Sequence, residues 1–114
     1  MFFRRKKIPT IEAEELHNWR DQNRDMIILD VRTEEEWKQT GIIPDSLTIP
    51  NFKLAAQMQQ GLDLDKNKPV VVVCRTGTRS RKVTEFLLDQ DIEAINLQNG
   101  ILNWIRQQYE IESY

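Results

Sequence analysis

The sequence predicts a single α/β domain with a mainly parallel central sheet and helices on both faces. The segments "MIILDV" and "VVVV" are short, rich in β-branched residues and apolar almost throughout, which is typical of parallel strands buried on both sides. Segments with helical periodicity alternate with these strands, as repeated right-handed crossovers require. The chain has 114 residues, of which 39% are hydrophobic and 30% charged, so its length and composition favour one compact domain.

In the first half of the chain, one helix is expected before the strand "MIILDV" and another after it. Thr10 precedes an acidic segment and is predicted to cap a helix that runs to about Asn23. Thr33 and Glu36 have the spacing of a capping box, which predicts a second helix that ends at Gly41. A short strand, "SLTIP", should follow this helix.

The second half continues the alternation of helices and strands. An amphipathic helix is predicted from Asn51 to about Gly61, followed by a loop and by the strand "VVVV". The segment from Arg79 to Gln90 is predicted to be helical, because its apolar residues recur at i, i+3 and i+4. The segment "EAINL" is a further predicted strand, and "GILNWIRQQY" is the closing helix.

Charge and cysteine content argue against several classes of function. The net charge is -2 at pH 7, and the basic cluster in "MFFRRKKIP" is interpreted as a solvated tail, residues 1–7, ahead of a domain of residues 8–114. We therefore expect no nucleic-acid partner. We also expect no signal peptide and no membrane span, because no apolar run approaches the necessary ~20 residues. A single cysteine cannot form an intrachain disulfide, which favours a cytoplasmic location.

The only cysteine of the chain ends the predicted strand "VVVV" and is followed by a dense set of donors. In a parallel sheet, ligands bind beyond the carboxyl ends of the strands, so Cys74 is expected to face a ligand crevice. If the following loop curls toward the thiol, its backbone amides and the positive end of the next helix form an anion cradle. The loop supplies a glycine, hydroxyls and arginines: Arg75, Thr76, Gly77, Thr78, Arg79 and Ser80.

Such a cradle favours a thiolate, so Cys74 is predicted to be the catalytic nucleophile, and the residues Arg75 to Ser80 are predicted to bind the substrate. The alternative is a buried core cysteine, but a core position does not require the loop that follows. The only histidine, His17, lies in the first predicted helix and is interpreted as an ordinary helix residue rather than a catalytic base.

Two charged residues near the end of the neighbouring strand are candidates for supporting roles. Asp30 could hydrogen-bond near the cysteine loop, and Arg32 and Glu36 could form an ion pair at the start of the second helix. A structural role is the favoured interpretation for Asp30 and Arg32, with substrate contact as the alternative. Neither a cofactor nor a metal ion is expected.

Four segments together resemble the rhodanese family of sulfurtransferases, in its single-domain form. They are the loop "CRTGTRS", the strand and acidic helix "ILDVRTEEEW", the segment "GIIPDSLTIP" and the closing "LQNGILNW". They occur in the family's order, and the resemblance extends from about Ile8 to Trp104. The chain departs from the family pattern at Ile42, where the family has a histidine, and at Asn99, where it has a glycine.

The resemblance implies a carrier of sulfane sulfur. Cys74 would take sulfur from a small anionic donor such as thiosulfate or polysulfide and hold it as a persulfide. It would then pass the sulfur to cyanide, a thiol or a protein cysteine. The loop amides would stabilise the terminal sulfur, and the arginines would hold the charged donor.

Three other functions stay open at this point. A non-catalytic rhodanese-like docking or regulatory module shares the fold but does not need the cysteine. A cysteine phosphatase or an arsenate reductase is less favoured. Four residues separate Cys74 from Arg79, one fewer than in the phosphatase loops that this loop resembles, and a smaller ring suits a sulfur atom better than a phosphoryl group.

Overall fold

The computed structural model describes residues 7–114, which form five strands and five helices in alternation. The strands are β1 (Thr10–Ile11), β2 (Ile27–Asp30), β3 (Leu47–Thr48), β4 (Val70–Val73) and β5 (Ala94–Leu97). The helices are α1 (Ala13–Asp21), α2 (Glu34–Thr40), α3 (Asn51–Gln59), α4 (Thr78–Asp89) and α5 (Gly100–Arg106). Residues 1–6 of the predicted basic tail lie outside the described residues.

The five strands form one parallel sheet in the order β1-β5-β4-β2-β3. Strand β4 therefore lies in the centre, between β5 and β2. The register pairs Asp30 with Val73, so β2 and β4 end side by side. This arrangement confirms the predicted α/β fold, and it brings the segments that follow β2 and β4 to the same edge of the sheet.

Helices cover both faces of the sheet, as the sequence predicts. On one face, α3 and α4 pack on alternate residues of β4, and the core there includes Leu54, Val70, Val72, Val83 and Leu87. On the other face, α1 and α5 pack on the remaining residues of β4, and the core there includes Leu16, Val71, Val73, Ile101 and Trp104. The continuous run of valines is explained by this arrangement, because consecutive side chains of β4 point into opposite cores.

The predicted cap of the first helix is wrong. Thr10 belongs to strand β1, where it pairs with Asn96 of β5, and the residue before α1 is Glu12, which makes no side-chain capping bond. Helix α1 also ends at Asp21, earlier than predicted. The backbone at Thr10 pairs with the sheet edge and buries Ile11 to 2% exposure, and this long-range pairing outweighs the local capping preference.

The capping box that opens α2 is confirmed. The Thr33 hydroxyl accepts a hydrogen bond from the Glu36 amide, and the Glu36 carboxylate accepts one from the Thr33 amide. The helix ends at Gly41, as predicted, with the left-handed φ of 78° that glycine tolerates. Within residues 7–114, no helix has both the length and the apolar composition to cross a bilayer.

Candidate active site

Cys74 follows β4 directly, and its side chain lies at the base of the loop that leads into α4. The residue is only 1% exposed. Its Sγ accepts a hydrogen bond from the Gly77 amide at 3.1 Å and lies 3.1 Å from the Ser80 hydroxyl. Gly77 has a φ of 100°, a conformation that costs other residues strain, and this turn is what aims the amide back at the sulfur.

Ser80 and Asn96 hold the other side of the thiol in a directed chain of hydrogen bonds. The Asn96 side-chain amide donates to the Gly77 carbonyl, which leaves the Asn96 oxygen facing Ser80. The Ser80 hydroxyl donates its single hydrogen to that oxygen, so toward Cys74 it acts as an acceptor of the S–H. The sequence predicts that the Ser80 hydroxyl donates to the sulfur. In the structure it donates to Asn96 instead, and it would have to rotate away from Asn96 before it could donate to the sulfur.

The cysteine loop rests on the start of α5. The Ile101 amide donates to the Cys74 carbonyl at 2.9 Å, and the Leu102 amide donates to the Arg75 carbonyl at 3.2 Å. Gly100, with a φ of 62°, allows this close approach, because a Cβ there would lie 2.6 Å from the Cys74 oxygen. The first amides of α5 are therefore used to hold the loop backbone in place, while the Gly77 amide, directly before α4, is the one directed at the thiol.

The remaining loop residues differ in exposure. Arg75, Thr76 and Thr78 are exposed, and no hydrogen bond joins the two threonine hydroxyls to Cys74 within the described residues. Arg75 forms no ion pair with any residue of the described part of the chain. The structure thus brings Gly77 and Ser80 to the sulfur and leaves Arg75 and the two threonines exposed.

Arg79 reaches across to α2, where it forms a two-pronged ion pair with Glu36. The two N–O distances are 2.7 and 2.8 Å. The hydrogen bonds from Arg79 lower the pKa of Glu36 from its ordinary value of 4.5 to about 2, since they stabilise the ionised carboxylate. The same pairing raises the pKa of Arg79. This contact joins the start of α4 to α2, two elements far apart in sequence.

The predicted ion pair between Arg32 and Glu36 is wrong. Arg32 is 1% exposed and pairs with Asp30, with its Nη2 2.8 Å from Asp30 Oδ2, and it also donates to the Gly41 carbonyl at 2.9 Å. The indole of Trp37 donates to Asp30 at 2.9 Å. In the described residues, the Asp30 carboxylate thus bonds Arg32 and Trp37 rather than the cysteine loop. Through these bonds, Asp30 and Arg32 tie the middle and the C-terminal end of α2 to β2.

A cavity of about 440 Å³ opens above the loop, between α2 and α5. Charged and polar side chains dominate one wall, and Ile101 and Leu102 of α5 form the other. The cavity is lined in part by Arg32, Glu36, Thr40, Arg75 and Arg79. Arg75 and Arg79 of the cysteine loop belong to the lining, whereas the buried Cys74 itself does not. A polar, partly enclosed space of this kind is suited to a small anion.

Sequence reasoning missed two residues of this site. Asn96 is a polar residue in the otherwise apolar strand "AINL", and it is 4% exposed, so a buried polar position in a strand was the available signal. Glu36 is predicted to belong to the capping box and to pair with Arg32, and nothing local in the sequence indicates that Arg79 lies opposite it. His17 stacks on Tyr109 with ring centroids 4.2 Å apart, and among the described residues it neither bonds Cys74 nor lines the cavity.

Comparisons with known proteins agree with this arrangement. The family model described as "Rhodanese-like domain" matches residues 12–107. A sulfurtransferase of Allochromatium vinosum is 33% identical over 97 residues, which cover 84% of this chain and 87% of that protein. The thiosulfate sulfurtransferase GlpE of Coxiella burnetii is 32% identical over 100 residues, 87% of this chain and 86% of that protein. A crystal structure of a rhodanese-like domain protein from Staphylococcus aureus superposes with a TM-score of 0.79 at 32% identity, covering 93% of this chain and 100% of that one. With a matching fold, similar relatives and a family model that matches most of its length, this chain belongs to the rhodanese-like domain family.

Proposed function

We propose that this protein is a sulfurtransferase that carries sulfane sulfur as a persulfide on Cys74. The observation that carries the proposal is the position of the sulfur, which accepts the Gly77 amide at 3.1 Å directly before the first N–H groups of α4. An anionic sulfur attached to Sγ would extend toward these N–H groups and toward the positive end of the helix dipole. The sulfurtransferase names of the relatives support the same class of reaction.

In the first half-reaction, the Cys74 thiolate attacks the outer sulfur of the donor. With thiosulfate, an S–S bond forms between Sγ and that sulfur, the S–S bond of thiosulfate breaks, and sulfite leaves with the electron pair. With a low-molecular-weight persulfide, the leaving group is the corresponding thiolate. The Gly77 amide and the first amides of α4 stabilise the negative charge that collects on the terminal sulfur.

In the second half-reaction, an acceptor attacks the terminal sulfur of the persulfide. Cyanide would take up the sulfur to form thiocyanate, and a thiolate would take it up to form a new persulfide. In either case the S–S bond to Sγ breaks and the Cys74 thiolate is regenerated. The physiological acceptor on this proposal is a thiol, free or on a protein cysteine. Since Cys74 is the only cysteine of the chain, no second thiol here can resolve the persulfide, and the sulfur should stay until an external acceptor arrives.

Thiosulfate is the first donor to test, because one relative is named as a thiosulfate sulfurtransferase. On this proposal, the exposed Arg75 in the cavity lining meets a charged donor, and Arg79 holds the cavity wall through Glu36. The Ser80 hydroxyl contacts the sulfur from the buried side, and the side-chain amide of Asn96 holds that hydroxyl in position.

Mass spectrometry of the intact protein tests the proposal directly. After incubation with thiosulfate, the protein should gain the mass of one sulfur atom on Cys74, and cyanide should remove it with release of thiocyanate. Sulfate, which has no sulfane sulfur, serves as the matched anion control. Cys74→Ser should abolish loading while it leaves the thermal unfolding curve close to that of the wild type. Loading of the Cys74→Ser variant, or absence of loading with both thiosulfate and a polysulfide, would contradict the proposal.

A further inference from the structure

The charges that line the cavity above the cysteine loop compensate one another, with one exception. Arg32 is paired with the buried Asp30. Arg79 is paired with Glu36 through both of its terminal nitrogens. Arg75, also in the lining, has no ion pair within the described residues. The pairs cancel to a first approximation, so among residues 7–114 the cavity wall carries the field of a single free cation.

Glu36 is the residue that determines how many unpaired cations face the cavity. Its side chain is 22% exposed and lies in the cavity wall. The residue that caps its own helix helps to hold it there, because its Oε1 also accepts from the Thr33 amide at 3.3 Å. Without that carboxylate, the Arg79 guanidinium, whose side chain is 37% exposed, would be a second free cation beside the thiol. The nearby cations Lys82 and Arg106 line other depressions, the first between α3 and α4 and the second beside Thr76.

We infer that Glu36 determines donor specificity. By neutralising Arg79 it leaves Arg75 as the one free cation among the described residues of the cavity lining, and so favours a singly charged sulfur donor over a doubly charged one. This inference rests on the proposed sulfur transfer. A persulfide or thiosulfonate anion carries one charge, whereas thiosulfate carries two, and two charges are better matched by two free cations. Glu36 acts through Arg79 and through the potential of the cavity, so it is a specificity-determining residue rather than a catalytic one.

Two donors of similar shape allow the charge effect to be measured. Thiosulfate and methanethiosulfonate both present an outer sulfur on a tetrahedral sulfur centre. Their leaving groups are sulfite and methanesulfinate respectively, and each takes the electron pair of the broken S–S bond. They differ by one negative charge. The ratio of kcat/KM for thiosulfate to that for methanethiosulfonate, with cyanide as acceptor and thiocyanate as product, therefore reports the potential at the donor.

Glu36→Gln should raise this ratio on the order of fivefold, the effect of one charge about 8 Å away in partly screened surroundings. The glutamine keeps an oxygen for the Thr33 amide and for Arg79, so the local structure is retained. Glu35→Gln is the matched control, because it removes the same charge from the exposed side of the same helix turn, and it should leave the ratio unchanged. Added salt should reduce the gain in Glu36→Gln.

A double variant separates charge from structure. Glu36→Gln combined with Arg79→Gln removes one charge of each sign, so the ratio should return toward that of the wild type. If Glu36 served only to hold α2 against the loop, both donors would slow together in the single variant and the double variant would be worse. Arg75→Gln, at an exposed position that tolerates substitution, should lower the ratio by a similar factor.

The outcomes distinguish the specificity role of Glu36 from sulfur transfer by Cys74. An unchanged ratio in Glu36→Gln, with transfer from both donors intact, would overturn the specificity role and leave the sulfurtransferase proposal standing. An Arg75→Gln ratio equal to that of the wild type would contradict the charge count even if Glu36→Gln did not fold. If neither thiosulfate nor methanethiosulfonate transferred sulfur to Cys74 of the wild type, both proposals would be overturned.

Discussion

The two arginines of the cysteine loop have different surroundings, although they are only four positions apart. Arg75 is exposed in the cavity lining, whereas Arg79 is bound to Glu36 of α2. The first is free to meet a ligand, and the second is committed to a contact between two helices. We therefore expect their substitutions to affect different steps.

Arg75→Ala should weaken donor binding without weakening the fold. Loss of one charge-assisted contact of ~1.5–3 kcal/mol would raise KM for thiosulfate roughly ten- to a hundredfold, and should raise it less for methanethiosulfonate. The unfolding free energy should change by less than about 0.5 kcal/mol, as is usual for an exposed side chain. Arg75→Lys should recover part of the loss, since it restores the charge but not the planar fork.

Arg79→Ala is the comparison for this prediction. It removes the ion pair and leaves the Glu36 carboxylate uncompensated in the cavity wall, so transfer from every anionic donor should fall. Steady-state kinetics with both donors, together with urea unfolding, would check the pair of variants. Equal losses for the two donors in Arg75→Ala would contradict a role for this arginine in recognition of donor charge.

At the scale of secondary-structure elements, the position of the thiol depends on the contact between the cysteine loop and α5. The loop backbone lies so close to α5 that its carbonyls at Cys74 and Arg75 accept the amides of Ile101 and Leu102. Helix α5 is itself held in the second core by Ile101 and Trp104, both fully buried. The loop is therefore fixed by an element that is distant in sequence and anchored in the core.

Gly100→Ala should displace the loop. The added Cβ would meet the Cys74 and Arg75 carbonyls, and Gly100 has a φ of 62°, so both crowding and backbone strain oppose the change. We expect a loss of about 2–4 kcal/mol in unfolding free energy and a large loss of sulfur loading on Cys74. Thermal unfolding and mass spectrometry after thiosulfate would measure the two effects.

Gly61→Ala is the matched control for that variant. Gly61 also has a positive φ, 108°, but a Cβ there would meet nothing within 4 Å. Backbone strain alone should cost ~1 kcal/mol or slightly more and leave loading of Cys74 unchanged. If the two alanine variants lost stability and loading equally, the close approach of α5 to the loop would not be what positions the thiol.

At the scale of the whole molecule, the ion pair between Glu36 and Arg79 makes stability depend on pH. The pKa of Glu36 is lowered in the folded state to about 2, chiefly by the hydrogen bonds from Arg79, whereas its ordinary value is 4.5. Between these values the unfolded chain binds a proton that the folded chain does not, so unfolding becomes more favourable as the pH falls. The contribution is complete above about pH 4.5 and is lost as the pH falls toward 2.

Glu36→Gln should remove this part of the pH dependence. Urea unfolding between pH 3 and pH 7 should show that the wild type is more stable than the variant at neutral pH and that the difference narrows as the pH is lowered through 4. Glu35→Gln, which removes an exposed carboxylate of the same helix, should follow the wild-type curve. A difference between Glu36→Gln and the wild type that stays constant over this range would contradict the assignment of the low pKa to this pair.

Much of the fold follows from local patterns. The valine run of β4, the capping box at Thr33 and the amphipathic α4 are encoded in adjacent residues, and all three are as the sequence predicts. The same is true of the glycine turn after Cys74, because a left-handed φ at Gly77 is a local property of the backbone. The predicted helix cap at Thr10 is wrong because residues of this kind can either cap a helix or join a sheet edge. The pairing of β1 with β5, which decides between the two, is a long-range contact that local patterns do not show.

The sequence by itself therefore determined the α/β class, the order of the helices and strands, and the cysteine loop, since each depends on the periodicity or chemistry of neighbouring residues. Only the tertiary structure decided which groups surround that loop. Asn96 reaches Ser80 from β5, Glu36 reaches Arg79 from α2, and the start of α5 holds the loop backbone. These contacts join residues up to 43 positions apart, and they form because the parallel sheet gathers the carboxyl ends of its strands at one edge.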